Sequence, residues 1–127
     1  MAEAPLIAIV DDDESVRDAL TSLLHAVGWQ AEAFASAEAF LQSGQVHTTA
    51  CVLLDVRLPG LSGLELQRQL RASHAHLPII FMTAHGNDAM RAQALHAGAV
   101  AFFAKPFHDT ALLEAIHTAL APDNGSI

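Results

Sequence analysis

Cysteine occurs once, as Cys51, so the chain has no means of forming an internal disulfide. Basic residues are scarce: six Lys and Arg stand against fourteen Asp and Glu, for a net charge of −8 with His neutral. That sign argues against DNA or an anionic membrane surface as a direct partner of this segment. No uninterrupted apolar run is long enough to span a bilayer. The start, MAEAPLIAIVDDD, carries an acid where a secretory signal needs a basic segment. A protein of a reducing compartment, the cytoplasm, is the expectation. Internal repeats and low-complexity blocks are missing, as is the helical H-E-x-x-H zinc motif, despite eight histidines. His74 and His76, flanking Ala75, are expected in a solvated loop.

What is present is enough for one core. The chain has 127 residues, 52% of them apolar and 16% charged, a composition for a single globular domain that needs no disulfide or metal staple. Leu6 to Val10, Cys51 to Leu54, Ile79 to Met82 and Val100 to Phe103 are short continuous apolar runs of the kind buried on both faces. Gln30 to Phe34 alternates polar and apolar residues, which predicts an outer strand.

Between these runs lie helical patterns. Asp13 or Glu14 can cap a helix with Val16, Leu20, Leu23 and Val27 on one face and Gly28 at its end. Ser36 to Leu41 predicts a short helix. Ser62 and Glu65 have capping-box spacing and open a helix to about Ala72. Asn87 or Asp88 caps an alanine-rich helix that stops at Gly98, and Asp109 is expected to cap a last one carrying Leu112, Leu113, Ile116 and Leu120. Strand and helix alternate five times, which predicts an α/β fold with a five-stranded parallel sheet covered on both faces. Residues 1–121 form the expected domain, and 122–127, APDNGSI with Ala121, have linker chemistry.

In such a sheet ligands bind beyond the carboxyl ends of the strands. The first strand ends in Asp11, Asp12 and Asp13, the third in Asp55, the fourth in Thr83 and the fifth in Lys105. Two carboxylates about 4 Å apart repel by roughly 4 kcal/mol at an effective dielectric near 20. A cluster of Asp11, Asp12 and Asp55 therefore calls for a cation. Lys105 supplies one charge, and a hard divalent ion with an oxygen preference, Mg²⁺, would supply more. With the charge balanced, Asp55 can act as a nucleophile and form an acyl phosphate. Lys105 and the Thr83 hydroxyl are then placed for the phosphoryl oxygens. Singly, each residue reads as well as a turn, a cap or a strand end, and Asp13 as a cap only; the weight lies in their joint fit to one rim.

IVDDDESVR, CVLLDVRLPGLSGLEL, IIFMTAHG and AGAVAFFAKPF, in this order, resemble the CheY-like receiver domain of two-component response regulators. HG after MTA, with FASAEAFL, is most similar to the receivers of FixJ-type transcriptional regulators. The resemblance implies a flavodoxin-like, doubly wound (β/α)5 fold with strand order 2-1-3-4-5. It implies that Asp55 accepts a phosphoryl group from the phosphohistidine of a sensor histidine kinase. It further implies Mg²⁺, or Mn²⁺, held directly by Asp12 and Asp55, through water by Asp11, and by the Arg57 carbonyl. Thr83 and Lys105 would bind the phosphoryl group, Lys105-Pro106 would be cis, and Phe102 would be the ring that moves with Thr83. Arg57 and His85, each two residues beyond a site residue, would tune access of water to the acyl phosphate. The chain would catalyse only its own phosphorylation and dephosphorylation and switch the face made by helix 4, strand 5 and helix 5. A homodimer on phosphorylation is compatible with this.

Such regulators usually carry a DNA-binding helix-turn-helix domain as well. The chain therefore reads either as the receiver segment of a longer regulator or as a stand-alone receiver acting by protein–protein contact. A phosphatase of the haloacid-dehalogenase type needs an acid two residues after the nucleophile, where Arg57 stands. A flavodoxin-like cofactor module needs a phosphate-cradling loop after the first strand, where the acids would repel phosphate.

Overall fold

The computed structural model describes residues 4–84 and 86–121. Its five strands are β1 (Leu6–Val10), β2 (Gln30–Phe34), β3 (Thr49–Asp55), β4 (Ile79–Thr83) and β5 (Ala101–Ala104). The helices are α1 (Glu14–Ala26), α2 (Ala37–Gln42), α3 (Gly63–Ser73), α4 (Asp88–His96) and α5 (Asp109–Leu120), with a single 3-10 turn at Val46–Thr48. All strand pairs are parallel, in the order β2-β1-β3-β4-β5. This is the α/β architecture expected, with β2 at an edge as its mixed pattern requires.

Period-two alternation splits the interior into two layers. Ile7 and Ile9 of β1 join Leu53, Ile80 and Met82 under Leu20 and Leu24 of α1 and Leu112 and Ile116 of α5. Ala8 and Val10 face the other way, with Leu54 and Phe81, under Phe40 of α2, Leu66 and Leu70 of α3 and Ala94 of α4. Each fully buried Leu, Ile or Phe contributes about 1.5–3 kcal/mol of transfer free energy. Cys51 lies in the first layer, where burial pushes its thiol up to about 12, so it acts as a small apolar residue.

Local chemistry sets most of the helix ends. Asp13 caps α1, accepting from the Ser15 backbone N–H at 2.9 Å. Gly28, at φ 92°, closes that helix in a Schellman turn, with Trp29 N–H donating to the Leu24 carbonyl. Ser36 caps α2, and Ser62 and Glu65 complete a capping box on α3. Asn87, rather than Asp88, caps α4.

Four details differ from the sequence pattern. Val27 is the C-cap of α1 and 47% exposed; Leu24 takes the core position, because the helix has ended before Val27 can turn inward. β3 begins at Thr49 instead of Cys51, since the Thr49 hydroxyl bonds the Gln45 carbonyl and draws the chain out of the 3-10 turn into the sheet. β5 begins at Ala101, one residue later than the apolar run, because its ladder with β4 pairs Ile80 with Ala101 and Thr83 with Ala104, leaving Val100 exposed. His108 occupies the N-cap of α5 without a side-chain bond; Asp109 is instead the first helical residue, where its charge suits the helix dipole.

Candidate functional site

Because all strands are parallel, their carboxyl ends form one rim. β1 delivers Asp11 to it fully buried, and β3 ends in Asp55, 6% exposed. β4 ends in Thr83, 1% exposed, while β5 leads directly into Lys105. The Lys105 N–H donates to the Thr83 carbonyl at 2.8 Å, so the sheet ladder itself sets where the lysine side chain starts.

That side chain reaches across the rim. Lys105 Nζ lies 2.7 Å from Asp11 Oδ2 and 3.1 Å from Asp55 Oδ2. The other carboxylate oxygens are held by backbone: Asp13 N–H donates to Asp11 Oδ1 at 2.9 Å and Arg57 N–H to Asp55 Oδ1 at 3.0 Å. Asp12, exposed, joins them; oxygens of Asp11, Asp12 and Asp55 all lie within 4.8 Å of one another. Asp13 points away as the helix cap. The Lys105-Pro106 peptide, which fixes the chain direction behind the lysine, is cis.

The electrostatics are unbalanced. Three carboxylates against one ammonium leave two negative charges uncompensated. Burial pushes the Asp55 carboxyl above its usual value, the Arg57 N–H opposes this, and the neighbouring Asp11 charge adds to it. Burial alone would lower Lys105, but its bond to Asp11 and the charge of Asp55 hold it above the usual ammonium value. A divalent cation would restore neutrality. The donor set fits one: ligands around Mg²⁺ at about 2.1 Å stand ~2.9–4.2 Å apart, a spacing that three carboxylates gathered this closely can meet.

Phe102 is 8% exposed on β5, its ring 6.1 Å from that of Phe81. Gly86 sits against both Thr83 and Phe102; a Cβ there would lie 2.6 Å from Thr83 Cγ2 and 3.0 Å from the Phe102 ring. Arg57 takes part through its backbone N–H, and its side chain is exposed. His85 falls outside the described residues.

Three supporting residues lie inside the quoted stretches without a role that the sequence alone assigns them. Gly63, at the start of α3, packs on the backbone of Asp55 and Val56 and donates to the Val56 carbonyl at 3.0 Å; a Cβ would collide with the Asp55 carbonyl. The quoted LPGLSGLEL contains it, but only the contact shows why the second glycine is needed. Glu38 of α2 accepts from Leu61 N–H at 2.8 Å, which holds its carboxyl below the usual range and pins the turn that follows Arg57. Arg17 of α1 donates to the Asp11 carbonyl at 2.9 Å. Glu38 and Arg17 stand in FASAEAFL and IVDDDESVR, but neither stretch carries a sign of the backbone group each one bonds.

An open parallel sheet in this order, with a lysine bridging two buried acids at the ends of its first and third strands, defines the class of CheY-like, doubly wound α/β modules. A family model described as "Response regulator receiver domain" matches residues 7–117. The chain belongs to the response regulator receiver domain family. It is 47% identical over 118 residues to Nodulation protein W of Bradyrhizobium diazoefficiens, covering 93% of this chain and 52% of that protein. Transcriptional regulatory protein FixJ of Azorhizobium caulinodans is 40% identical over 120 residues, covering 94% and 57%. The crystal structure of FixJ-N superposes with a TM-score of 0.82 at 39% identity, covering 94% of this chain and 95% of that one. The chain thus spans about half the length of the curated relatives it matches. Among the described residues, no helix is long and apolar enough to cross a membrane.

Proposed function

We propose that the chain is a phosphorylation switch in which Asp55 takes a phosphoryl group from the phosphohistidine of a sensor kinase. The observation that carries this is the Lys105 ammonium bonded at once to Asp11 and Asp55, beside Asp12. An Asp55 carboxylate oxygen attacks phosphorus, the phosphorus–nitrogen bond of the donor breaks, and the imidazole leaves with the electron pair. The product is a mixed anhydride, which water later cleaves back to carboxylate and phosphate.

When bound, Mg²⁺ supplies positive charge for the phosphoryl oxygens in flight. The chain's own groups do the remainder. Asp12, Asp55 and the Arg57 carbonyl would hold the ion directly and Asp11 through water, with Mn²⁺ as a substitute. Lys105 pairs with one phosphoryl oxygen and the Thr83 hydroxyl with another. The buried Thr83 and Phe102 then shift together, and the α4–β5–α5 face changes its partner preference, including for a second copy of the chain. The chain catalyses only these self-directed steps. Arg57 and His85 set the phosphoryl lifetime by screening water; a dephosphorylation rate unchanged in Arg57→Ala and His85→Ala would reject that role.

In a longer protein, residues 1–121 would be the receiver and 122–127 the start of a linker to a DNA-binding output domain. The relatives' length and the name of FixJ support this. The cytoplasm is the compartment that this role implies.

Incubation with acetyl phosphate and Mg²⁺, followed by intact mass, tests the chemistry. One added, base-labile phosphoryl group is expected, absent in Asp55→Asn and absent with a chelator. Full modification of Asp55→Asn would move the acceptor elsewhere.

A further inference from the structure

The turns that feed the amino ends of β3 and β4 lie at the edge of the sheet opposite the acidic rim. There the chain brings together histidines that are distant in sequence. His47, in the 3-10 turn before β3, and His74, the C-cap of α3, place His47 Nδ1 and His74 Nε2 3.4 Å apart. Their rings meet edge-on, with centroids 4.9 Å apart. His76 lines the same cleft, whose volume is about 540 Å³.

Hydrogen-bond direction fixes the state of His74. Ser73 Oγ lies 3.0 Å from the Gln69 carbonyl and 2.9 Å from His74 Nδ1. A carbonyl can only accept, so the single hydroxyl proton goes to Gln69. The hydroxyl oxygen must then accept, and Nδ1 carries the ring proton. In the neutral ring the lone pair then sits on His74 Nε2, 3.4 Å from His47 Nδ1. This is the arrangement of a metal-binding imidazole whose far nitrogen is anchored by a hydrogen bond. The spacing agrees. An N···N distance of 3.4 Å is long for a hydrogen bond between ring nitrogens. It matches the ~3.3–3.4 Å edge of a tetrahedron of nitrogens around Zn²⁺ at about 2.0–2.1 Å.

We propose that His47 and His74 form a two-imidazole binding site for a divalent transition-metal ion, Zn²⁺ by donor type. Imidazole nitrogen selects such ions over Mg²⁺, which the oxygen-only rim prefers. The ion would clamp the turn before β3 to the end of α3, independently of the phosphoryl site.

The test is calorimetric titration of the metal-stripped full chain with Zn²⁺ in saturating Mg²⁺, alongside thermal melts. One equivalent of Zn²⁺ is expected to bind and to raise the Tm. Both signals are expected to vanish in His47→Gln and in His74→Gln, which change exposed or half-buried side chains and keep the fold by circular dichroism. Ser73→Ala should weaken binding by about tenfold or more through loss of the ring anchor. Asp55→Asn should bind Zn²⁺ as the parent does. Absence of binding in Mg²⁺, binding unchanged in both histidine variants, or loss of binding in Asp55→Asn would each overturn the site. Unchanged affinity in Ser73→Ala would overturn the assigned ring state.

Discussion

On one face of the sheet, α1 and α5 rest on a continuous apolar layer that includes Leu20, Leu24, Leu112 and Ile116. On the other face, α4 has only Ala94 as a buried residue and is tied down by polar bonds. Gln67 Nε2 donates to the Ala94 carbonyl at 3.0 Å and Arg71 Nη1 to the Ala97 carbonyl at 2.6 Å, both from α3. Arg91 of α4 donates to the Phe102 carbonyl at 2.9 Å. The two kinds of attachment differ in what displacement costs. Pulling a buried leucine out of its layer forfeits about 1.5–3 kcal/mol. Trading a hydrogen bond for one to water forfeits roughly 0.5–1.5 kcal/mol. The helix beside Thr83 and Phe102 therefore has less apolar packing to lose than α1 and α5 have.

Substitution on the rigid face should have the largest effect. Leu24→Ala removes a side chain with no exposure from the α1 layer. It is expected to lower stability by about 2–5 kcal/mol, read as a lower urea midpoint at unchanged slope. Gln67→Ala comes next. Gln67 is 3% exposed, and its loss removes one of the two bonds to the Ala94 carbonyl, which keeps the one from the Ala99 N–H; about 0.5–1.5 kcal/mol is expected. Hydrogen exchange should rise in α4 and leave α1 protected. Equal rises in both helices would erase the distinction between the faces. Arg71→Ala should cost least, about 1 kcal/mol or below, because the bond it breaks is exposed and water can replace it.

Much of this was legible in the residues. The buried strands announce themselves as apolar runs, and each run ends at the very residue the rim uses, because the ladder stops where a polar side chain must face solvent or a ligand. The sequence could not show which helix is held by packing and which by polar ties. α4 is alanine-rich, and alanine fits a buried or an exposed face equally. Gln67 and Arg71 look like ordinary surface residues of α3 until Ala94 and Ala97 are placed beside them. Gly63 reads only as the first residue of the helix that Ser62 opens, although its contact with the Asp55 backbone excludes a side chain. Pairings across the fold, such as Glu38 with Leu61 or His47 with His74, leave no periodicity to read.

The smallest expected effect has the opposite sign and sharpens the contrast from the rim itself. Asp55 is carried by the rigid framework into a buried position, and its carboxyl is raised chiefly by that burial, with Asp11 adding to it. A raised carboxyl binds its proton more tightly folded than unfolded. Its stabilising contribution is therefore complete below the ordinary carboxylate value and is lost as pH rises through the raised one. At neutral pH without divalent metal, the ionised Asp55 works against the fold. Asp55→Asn removes that charge, while the Lys105 bond to Asp11, the first of the attractions that keep Lys105 protonated, stays in place. The variant should melt a little higher than the parent at neutral pH, and the difference should shrink as pH falls until the parent carboxyl is protonated too. Saturating Mg²⁺ should also close the gap by raising the parent's Tm. A variant that melts lower than the parent at neutral pH without metal would mean that Lys105 more than repays the burial of Asp55, and that the rim is held together by its ion pairs as firmly as α1 and α5 are by their leucines.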